Sequence, residues 1–510
     1  MINLKNFILA LCLPLFLSIF CTSGLAQLSV RTLSLARYGE LPRSDSDSNP
    51  SYYSDVTIEY RYKWLLAGLR GEGFNSPEAN LRFGGDAKYG HISQRYAELF
   101  WSWGSARAGN LYGILGKGLI MRAFELPGFV YESRVFRKQH RVIRDIDGLK
   151  FSLTPGPLSL TGFGGSIIDP LKPPDENRDL GDLVGGQASL ALPALLSLGL
   201  AYVEHETGSF RAKLSSYFLA WSADDLLERI GAGALTFDFY AEYATDQSFG
   251  QVAAFNKNTP HALYLASNFT WNTFGGSFEY KDYQDFNFGI NDPPPLIREN
   301  AEVLLNRATH VLDAASERGF QLEFFYSPFA LSRIIANYSR ARDDRREDVQ
   351  PLFIERYLGV EYSGDPWGLR FFLDTGQDEL FSETGRFTAG IAPDYSRTDG
   401  TTIGLNIQWQ RFKRLDNRIK NFYATFSIQN WRKFSFAFSG ERSNDPNETD
   451  DLAAKAIKYF INGSIGWHPT PQMDLQLFLG KRRGGTACDH GFCIEVLDFE
   501  GMELRLETRW

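Results

Sequence analysis

From residue 56 to its end the chain repeatedly alternates apolar and polar residues with period two. Val56, Ile58, Tyr60, Tyr62 and Trp64 alternate with Thr57, Glu59, Arg61 and Lys63. Leu235, Phe237, Phe239, Ala241 and Tyr243 do the same around Thr236, Asp238, Tyr240 and Glu242. The pattern returns at 422–428, 434–438, 459–467 and 473–479. Successive side chains of a strand point to opposite faces, so each segment has one apolar and one polar face. This predicts that Glu59, Arg61, Asp238 and Glu242 share one face of a sheet, and that Val56, Ile58, Phe237 and Phe239 share the other.

The segments come in pairs joined by turn residues: Thr154 to Pro157, Pro193-Ala194, Asn272-Thr273, Ser327 to Phe329, Gly364 to Trp367, Asn430 to Lys433 and His468 to Gln472. These are hairpin signals. Longer polar stretches, such as 339–349 and 443–451, separate the hairpins. Short turns that alternate with long loops describe a closed antiparallel transmembrane β-barrel. A soluble sandwich array would give a similar pattern strand by strand. The tryptophans favour the membrane. Trp64, Trp101, Trp103, Trp221, Trp271, Trp367, Trp431, Trp467 and Trp510 all fall at or near the short-turn ends. Indole rings settle at the headgroup level, wet at one edge and greasy elsewhere. About 22 to 24 strands are expected, an even number with both termini in the periplasm. The weakest candidates are 28–38, 110–119 and 386–391.

Composition removes other classes. A mean hydropathy of −0.26 excludes a polytopic helical membrane protein. Aromatics at 15% exclude a disordered chain. A net charge of −8 argues against a nucleic-acid partner. The one continuous apolar run, Phe7 to Phe20, follows Lys5 and precedes Gly24-Leu25-Ala26. It reads as a secretory signal peptide over 1–26, leaving 27–510 as the barrel. Export leaves Cys488 and Cys493, which in an oxidising compartment are expected to form a local disulfide. A metal site that recruits His490 would lack further ligands.

The segment Gly109-Asn110, Tyr112, Gly116 to Gly118, Arg122 and Glu125 resembles a motif of an uncharacterised group of bacterial outer-membrane barrels. That group carries a domain of unknown function common in Bacteroidetes and related phyla. Pro293 to Pro295 with Leu304 to Arg307, Gly319 to Glu323, and Gly480 with Cys488 and Cys493 add to the resemblance. It implies a porin-like fold over most of the chain and no known activity. The closing alternation through Leu504 and Leu506 to Trp510 resembles the C-terminal assembly signal of such barrels. It implies the barrel-assembly machinery as a partner during biogenesis, with outer-membrane lipid as the final surroundings.

Two segments break the strand rhythm. Residues 119–147 contain Arg122, Glu125, Glu132, Arg134, Arg137, Lys138, Arg141, Arg144, Asp145 and Asp147. An exposed loop is one reading. Folding into the lumen is the other, where the charges would form a constriction that selects permeants. In 297–315, Ile297, Ala301, Leu304, Leu305, Ala308, Leu312 and Ala315 follow helical spacing, which predicts an amphipathic helix packed inside the barrel mouth. Catalytic motifs are missing, and His140 near Asp145 is a weak pairing. No enzyme activity and no cofactor is expected. A channel for small solutes is the first expectation, favoured by a wide charged lumen. The membrane part of a secretion, adhesion or surface assembly is the second, favoured by a lumen filled by the two segments.

Overall fold

The computed structural model describes residues 26–510 except 41–48, 77–87, 134, 194, 209, 230, 232, 248–258, 296, 297, 299, 311–315, 344–350, 446–456, 490 and 491. The expected signal therefore lies outside the described residues, apart from Ala26, which opens the first strand. His490 and Arg134 also lie outside them.

One sheet contains 24 strands, each antiparallel to its neighbours. Its first strand, Ala26–Glu40, pairs with Asn49–Tyr62 on one side and with the last strand, Phe499–Arg509, on the other. First-to-last pairing closes the sheet into a barrel and removes both edges. The count is even and falls within the expected range. Among the described residues, α-helix is confined to Asp224–Arg229 and Val303–Asn306. No helix among the described residues is long and apolar enough to cross a membrane.

Two of the weak candidates are barrel strands: 28–38 lies within Ala26–Glu40, and 386–391 lies within Glu383–Ser396. The third, 110–119, is not. The strand Gly104–Leu111 stops pairing with Lys88–Trp101 at Gly109. There the Arg95 N–H donates to the Asn110 side chain at 2.6 Å. A side-chain oxygen takes the bond that the next backbone carbonyl would have taken, and the chain turns into the barrel.

The faces follow the predicted alternation. Glu59 accepts from Arg31 at 2.6 Å on the inner wall, and Glu242 accepts from the inward-folded backbone at Lys117. Phe237 meets the Trp221 ring edge-on at 6.0 Å on the outer wall. Leu200, Phe438 and Ile461 are exposed large apolar residues, 53%, 60% and 55% accessible, as a lipid-facing band requires. The tryptophans near the short turns form a belt. Trp101 packs on Trp103, Trp367 on Tyr395, and Phe434 on Trp467. Asn272 supplies the left-handed conformation of its turn at φ 53°.

The two rims are less distinct than expected. On the short-turn rim, Trp221 leads into a connection at 223–234 that carries the helix Asp224–Arg229. On the other rim, strands join tightly at 379–382 and 415–416.

Facing can be tested at Phe438 and Ser439, neighbours in the middle of the strand Phe434–Ser443. Ser439 shares a hydrogen bond with Thr425 at 2.7 Å inside the barrel. In a reversible lipid-folding assay, Phe438→Lys should cost about 2–4 kcal/mol. Ser439→Lys should cost far less. Equal penalties would contradict the facing. Phe237 starts only two residues into its strand, so a lysine there should cost about 0–1 kcal/mol, the interface value.

Candidate functional site

The two segments that interrupt the strand rhythm both lie inside the barrel. The first runs from Leu111 to Ile146 and carries a hairpin of Arg122–Glu132 with Gln139–Arg144. Leu111, Leu115, Leu119, Ile120 and Met121 form one buried cluster with Phe163, Leu183, Val203, Leu214, Ala244, Tyr264 and Tyr283 from the inner wall. Apolar burial at roughly 25 cal/mol per Å² holds this end of the segment in place.

The other end is held by charge. Arg70 grips Glu125 with two hydrogen bonds, at 2.7 and 3.3 Å, and the Tyr112 hydroxyl donates to the same carboxylate at 2.7 Å. Arg141 pairs with Asp55 at 2.9 Å, while its backbone N–H donates to Glu72 at 3.2 Å. Arg37 bonds Glu132 at 2.9 Å. Arg505 of the last strand donates to the Gly128 carbonyl at 2.6 Å. Lys138 is buried against Asp175 and Glu176. Such bidentate, charge-assisted bonds fix geometry as well as energy.

These partners decide what the predicted residues do. Glu125, Lys138, Arg141 and Arg144 are consumed in holding the segment. Arg122 stacks on Phe124 with its guanidinium 4.9 Å from the ring centre. Arg137 occupies a left-handed turn position at φ 59°, its N–H donating to Ser133. Among the described residues of this segment, Lys117 is the exposed charged side chain. Its ammonium lies 5.3 Å from the centre of the Tyr240 ring, beside Glu242. Its backbone N–H donates to Glu242 at 2.7 Å, and that of Gly116 donates to Gln187 at 2.8 Å. Gly116 sits at φ 56°, and a Cβ there would collide with the Glu242 carboxylate. The sequence motif Gly116 to Gly118 includes this lysine, but the expected constriction residues do not.

The described residues of the second segment, 285–316, reach the opposite wall. The expected helix over 297–315 is reduced, among the described residues, to the single turn Val303–Asn306. Ile297, Leu312 and Ala315 lie outside the described residues. Leu304 and Leu305 are buried as expected, whereas Ala301 is exposed. The reason is on the wall. Gln408 accepts the Leu304 N–H at 3.0 Å, and Gln410 donates to the Leu304 carbonyl at 3.0 Å. Two amides take the bonds that further helix would have provided. Arg386 donates to the Ala308 carbonyl at 2.7 Å and also pairs with Asp374 and Glu355. Arg298 lies 3.7 Å from the centre of the Tyr357 ring.

The segments meet in the lumen. Arg144 pairs with Asp292 at 2.6 Å, the Arg122 N–H donates to the Ile290 carbonyl at 2.9 Å, and Asn291 donates to the Leu119 carbonyl at 3.0 Å. The barrel is therefore bridged from wall to wall.

No catalytic pairing emerges at His140. Its Nε2 lies 3.3 Å from the Pro170 carbonyl, while Asp145 accepts from Asn110 at 3.0 Å. Burial pushes the His140 imidazole down to about 3, so it stays neutral. Among the described residues no three His, Cys, Asp or Glu are grouped to hold a metal.

His310 behaves in the opposite way. Its Nδ1 donates to Asp378 at 2.7 Å and its Nε2 lies 3.4 Å from Glu317, which also pairs with Lys281 at 2.5 Å. The ring stacks on Phe353. Burial opposes its charge, but hydrogen bonds to the two carboxylates outweigh it and raise the imidazole to about 9. The folded value exceeds the unfolded one of about 6.5, so its stabilisation is complete below pH 6.5 and lost as pH rises through 9. Protease accessibility of 285–316 in the folded barrel should therefore increase between about pH 7 and pH 10. His310→Gln should abolish that pH dependence. An unchanged profile in the variant would contradict the anchor.

A family model described as a family of unknown function (DUF6029) matches residues 40–340, more than half of the chain, so the chain belongs to that family. No curated protein matches it in sequence. Among solved structures it is similar to OccK9 (OpdG) of Pseudomonas aeruginosa, with 13% identity, a TM-score of 0.43, and coverage of 72% of this chain and 96% of that one. It is also similar to a BenF-like porin of Pseudomonas fluorescens Pf-5, with 11% identity, a TM-score of 0.39, and coverage of 70% and 94%. OccAB1 of Acinetobacter baumannii matches with 11% identity, a TM-score of 0.40, and coverage of 69% and 91%.

Proposed function

We propose that this member of the DUF6029 family is an outer-membrane, porin-like channel for small solutes. One observation carries the reading: a closed 24-strand barrel holds two wall-anchored segments inside its lumen, with charge on the surfaces they leave open. A barrel of this size would otherwise enclose a broad aqueous passage. The segments narrow it, and fixed charge at a constriction selects what passes. Lys117 stands beside the acidic wall positions Glu242 and Glu279. Arg31, Arg61 and Arg509 are exposed on or at the ends of the strands around the closure seam. Exposed cations therefore stand at two parts of the wall, and they suit solutes that carry negative charge.

The wall-to-wall bridge through Arg144 and Asp292 gives the second reading its support. A lumen closed by that bridge would suit the membrane part of a secretion, adhesion or surface assembly. Single-channel recording in a planar bilayer separates the two. The channel reading predicts stepwise conductance, with a reversal potential under a salt gradient that shifts toward cation preference in Lys117→Glu. Silent bilayers from correctly folded protein would favour the assembly reading.

Cys488 and Cys493 are register partners in the hairpin of Gly485–Asp489 with Phe492–Val496. Directly opposed positions in an antiparallel pair lie about 4.5–5.5 Å apart at Cα, within disulfide reach. A disulfide there would be local, and two free thiols found by mass spectrometry in protein purified without reductant would reject it. Leu504, Leu506 and Trp510 share the outward face of the last strand, and Trp510 exchanges two backbone bonds with Val30, at 2.8 and 2.9 Å. Their role as an assembly signal predicts that deleting Trp510 lowers insertion into the outer membrane. Insertion at the parental level would refute it.

A further inference from the structure

Around most of the long-loop rim, the charges on the outer face come in opposite pairs. Arg95 bonds Asp147 at 3.0 Å, Arg318 bonds Asp282 at 3.0 Å, and Lys481 bonds Glu500 at 2.6 Å. Glu204 stands opposite Lys213 and bonds Arg211.

Two sectors break this rule. In the first, Arg342 is the register partner of Arg318, and Arg340 and Arg356 are exposed on the same face, but Arg318 is bonded to Asp282. The second carries five cations and no bonded acid among the described residues. On the hairpin of Thr402–Arg414 with Asn417–Trp431, Arg411 is the direct register partner of Lys420, and Lys413 that of Arg418. On the next strand Arg442 is the partner of Phe422, diagonal to Lys420. All five cations share the parity of Ile407, Phe426 and Phe438, so they point outward, and all five are exposed. None makes an ion pair among the described residues, Asp416 of the connecting turn included. The inward cation of the same hairpin, Arg414, is matched: it bonds Glu383 at 2.5 Å and Asp445 at 2.9 Å. Like charges placed directly opposite across an antiparallel pair are destabilising unless something else neutralises them.

The second observation is Trp409. It is the tenth tryptophan and stands apart from the belt on the short-turn rim. It faces outward beside Phe422, directly below the cations, and Arg411 lies 5.6 Å from the centre of its ring. An exposed indole marks a headgroup level. Here it marks the opposite boundary of the apolar band, with the five cations just beyond it.

We propose that Arg411, Lys413, Arg418, Lys420 and Arg442 form a docking surface for the phosphate groups of an anionic lipid in the leaflet on the long-loop side. The inference rests on the membrane reading of the barrel. Arginine forks and lysine ammonium groups suit phosphate oxygens, and the lipid's acyl chains would lie along Trp409, Phe422, Phe426 and Phe438. Each cation at an anionic membrane surface contributes to retention, so several together select anionic over neutral lipid.

The test uses the full chain folded into vesicles of phosphatidylcholine alone and of phosphatidylcholine with phosphatidylglycerol. The variant is Lys413→Gln/Lys420→Gln/Arg442→Gln, and the control is the matched pair Arg211→Gln/Glu204→Gln. Copurification of a bis-phosphorylated lipid A probe from neutral detergent is read by native mass spectrometry. The parent should hold the probe at least about ten-fold better than the triple variant. The dephosphorylated probe should bind no better to the parent than to the variant, and the control should match the parent. The triple variant should be more stable than the parent in neutral vesicles, where repulsion is unrelieved, and lose that advantage in anionic ones. Equal probe retention by parent and triple variant would overturn the proposal, as would displacement of the probe by an equal concentration of inorganic phosphate. Failure of the parent to fold into either vesicle would instead overturn the membrane reading on which the proposal stands.

Discussion

Every backbone donor and acceptor in lipid needs a partner inside the protein, and this chain meets that demand by pairing its first strand with its last. The bonds between Val30 and Trp510 complete the seam. Once the sheet is closed, lipid outside imposes the apolar face, and the polar face is left to line an interior. The same demand extends inward. Outside the hairpin of Arg122–Glu132 with Gln139–Arg144, the described residues of the 111–146 and 285–316 segments carry little regular structure, so their backbone groups need partners from the wall. Gln187, Glu242, Gln408 and Gln410 supply them.

The fold was legible because it depends on a local, repeated signal. Alternation, turn residues and tryptophan placement each reported on the same lipid boundary. The interior was less legible because it depends on which distant residues meet. Arg70 and Glu125 are 55 positions apart, and Arg144 and Asp292 are 148 apart. No spacing rule joins them. The helix predicted over 297–315 illustrates the limit. Its apolar spacing correctly marked Leu304 and Leu305 for burial, but the wall amides that replace helical bonds lie about a hundred positions further on. One interior signal was present in the sequence. From Leu196 to Val203 the strand is nearly apolar on both faces, and the inward residues Ala201 and Val203 are those that pack on the first segment.

Charge has two separate uses in this barrel. Buried ions fasten the segments to the wall, where losing one partner would strand the other in a low-dielectric setting. Exposed ions, Lys117 foremost, remain free to act on what enters the lumen. The row from Arg122 to Arg144 belongs mainly to the first group. A lumen whose inner segments are positioned by buried salt bridges gains a fixed geometry, and the charge left exposed can then be carried by few residues.

The central claim is that the two segments are built into the lumen and are not solvated loops. Hydrogen exchange on the folded protein in lipid tests this at the amides of Gly116, Lys117, Arg141 and Leu304, whose N–H groups donate to wall side chains. The account predicts protection at these four positions comparable to that of the adjoining barrel strands. Exchange at the rate of an unstructured chain would contradict it.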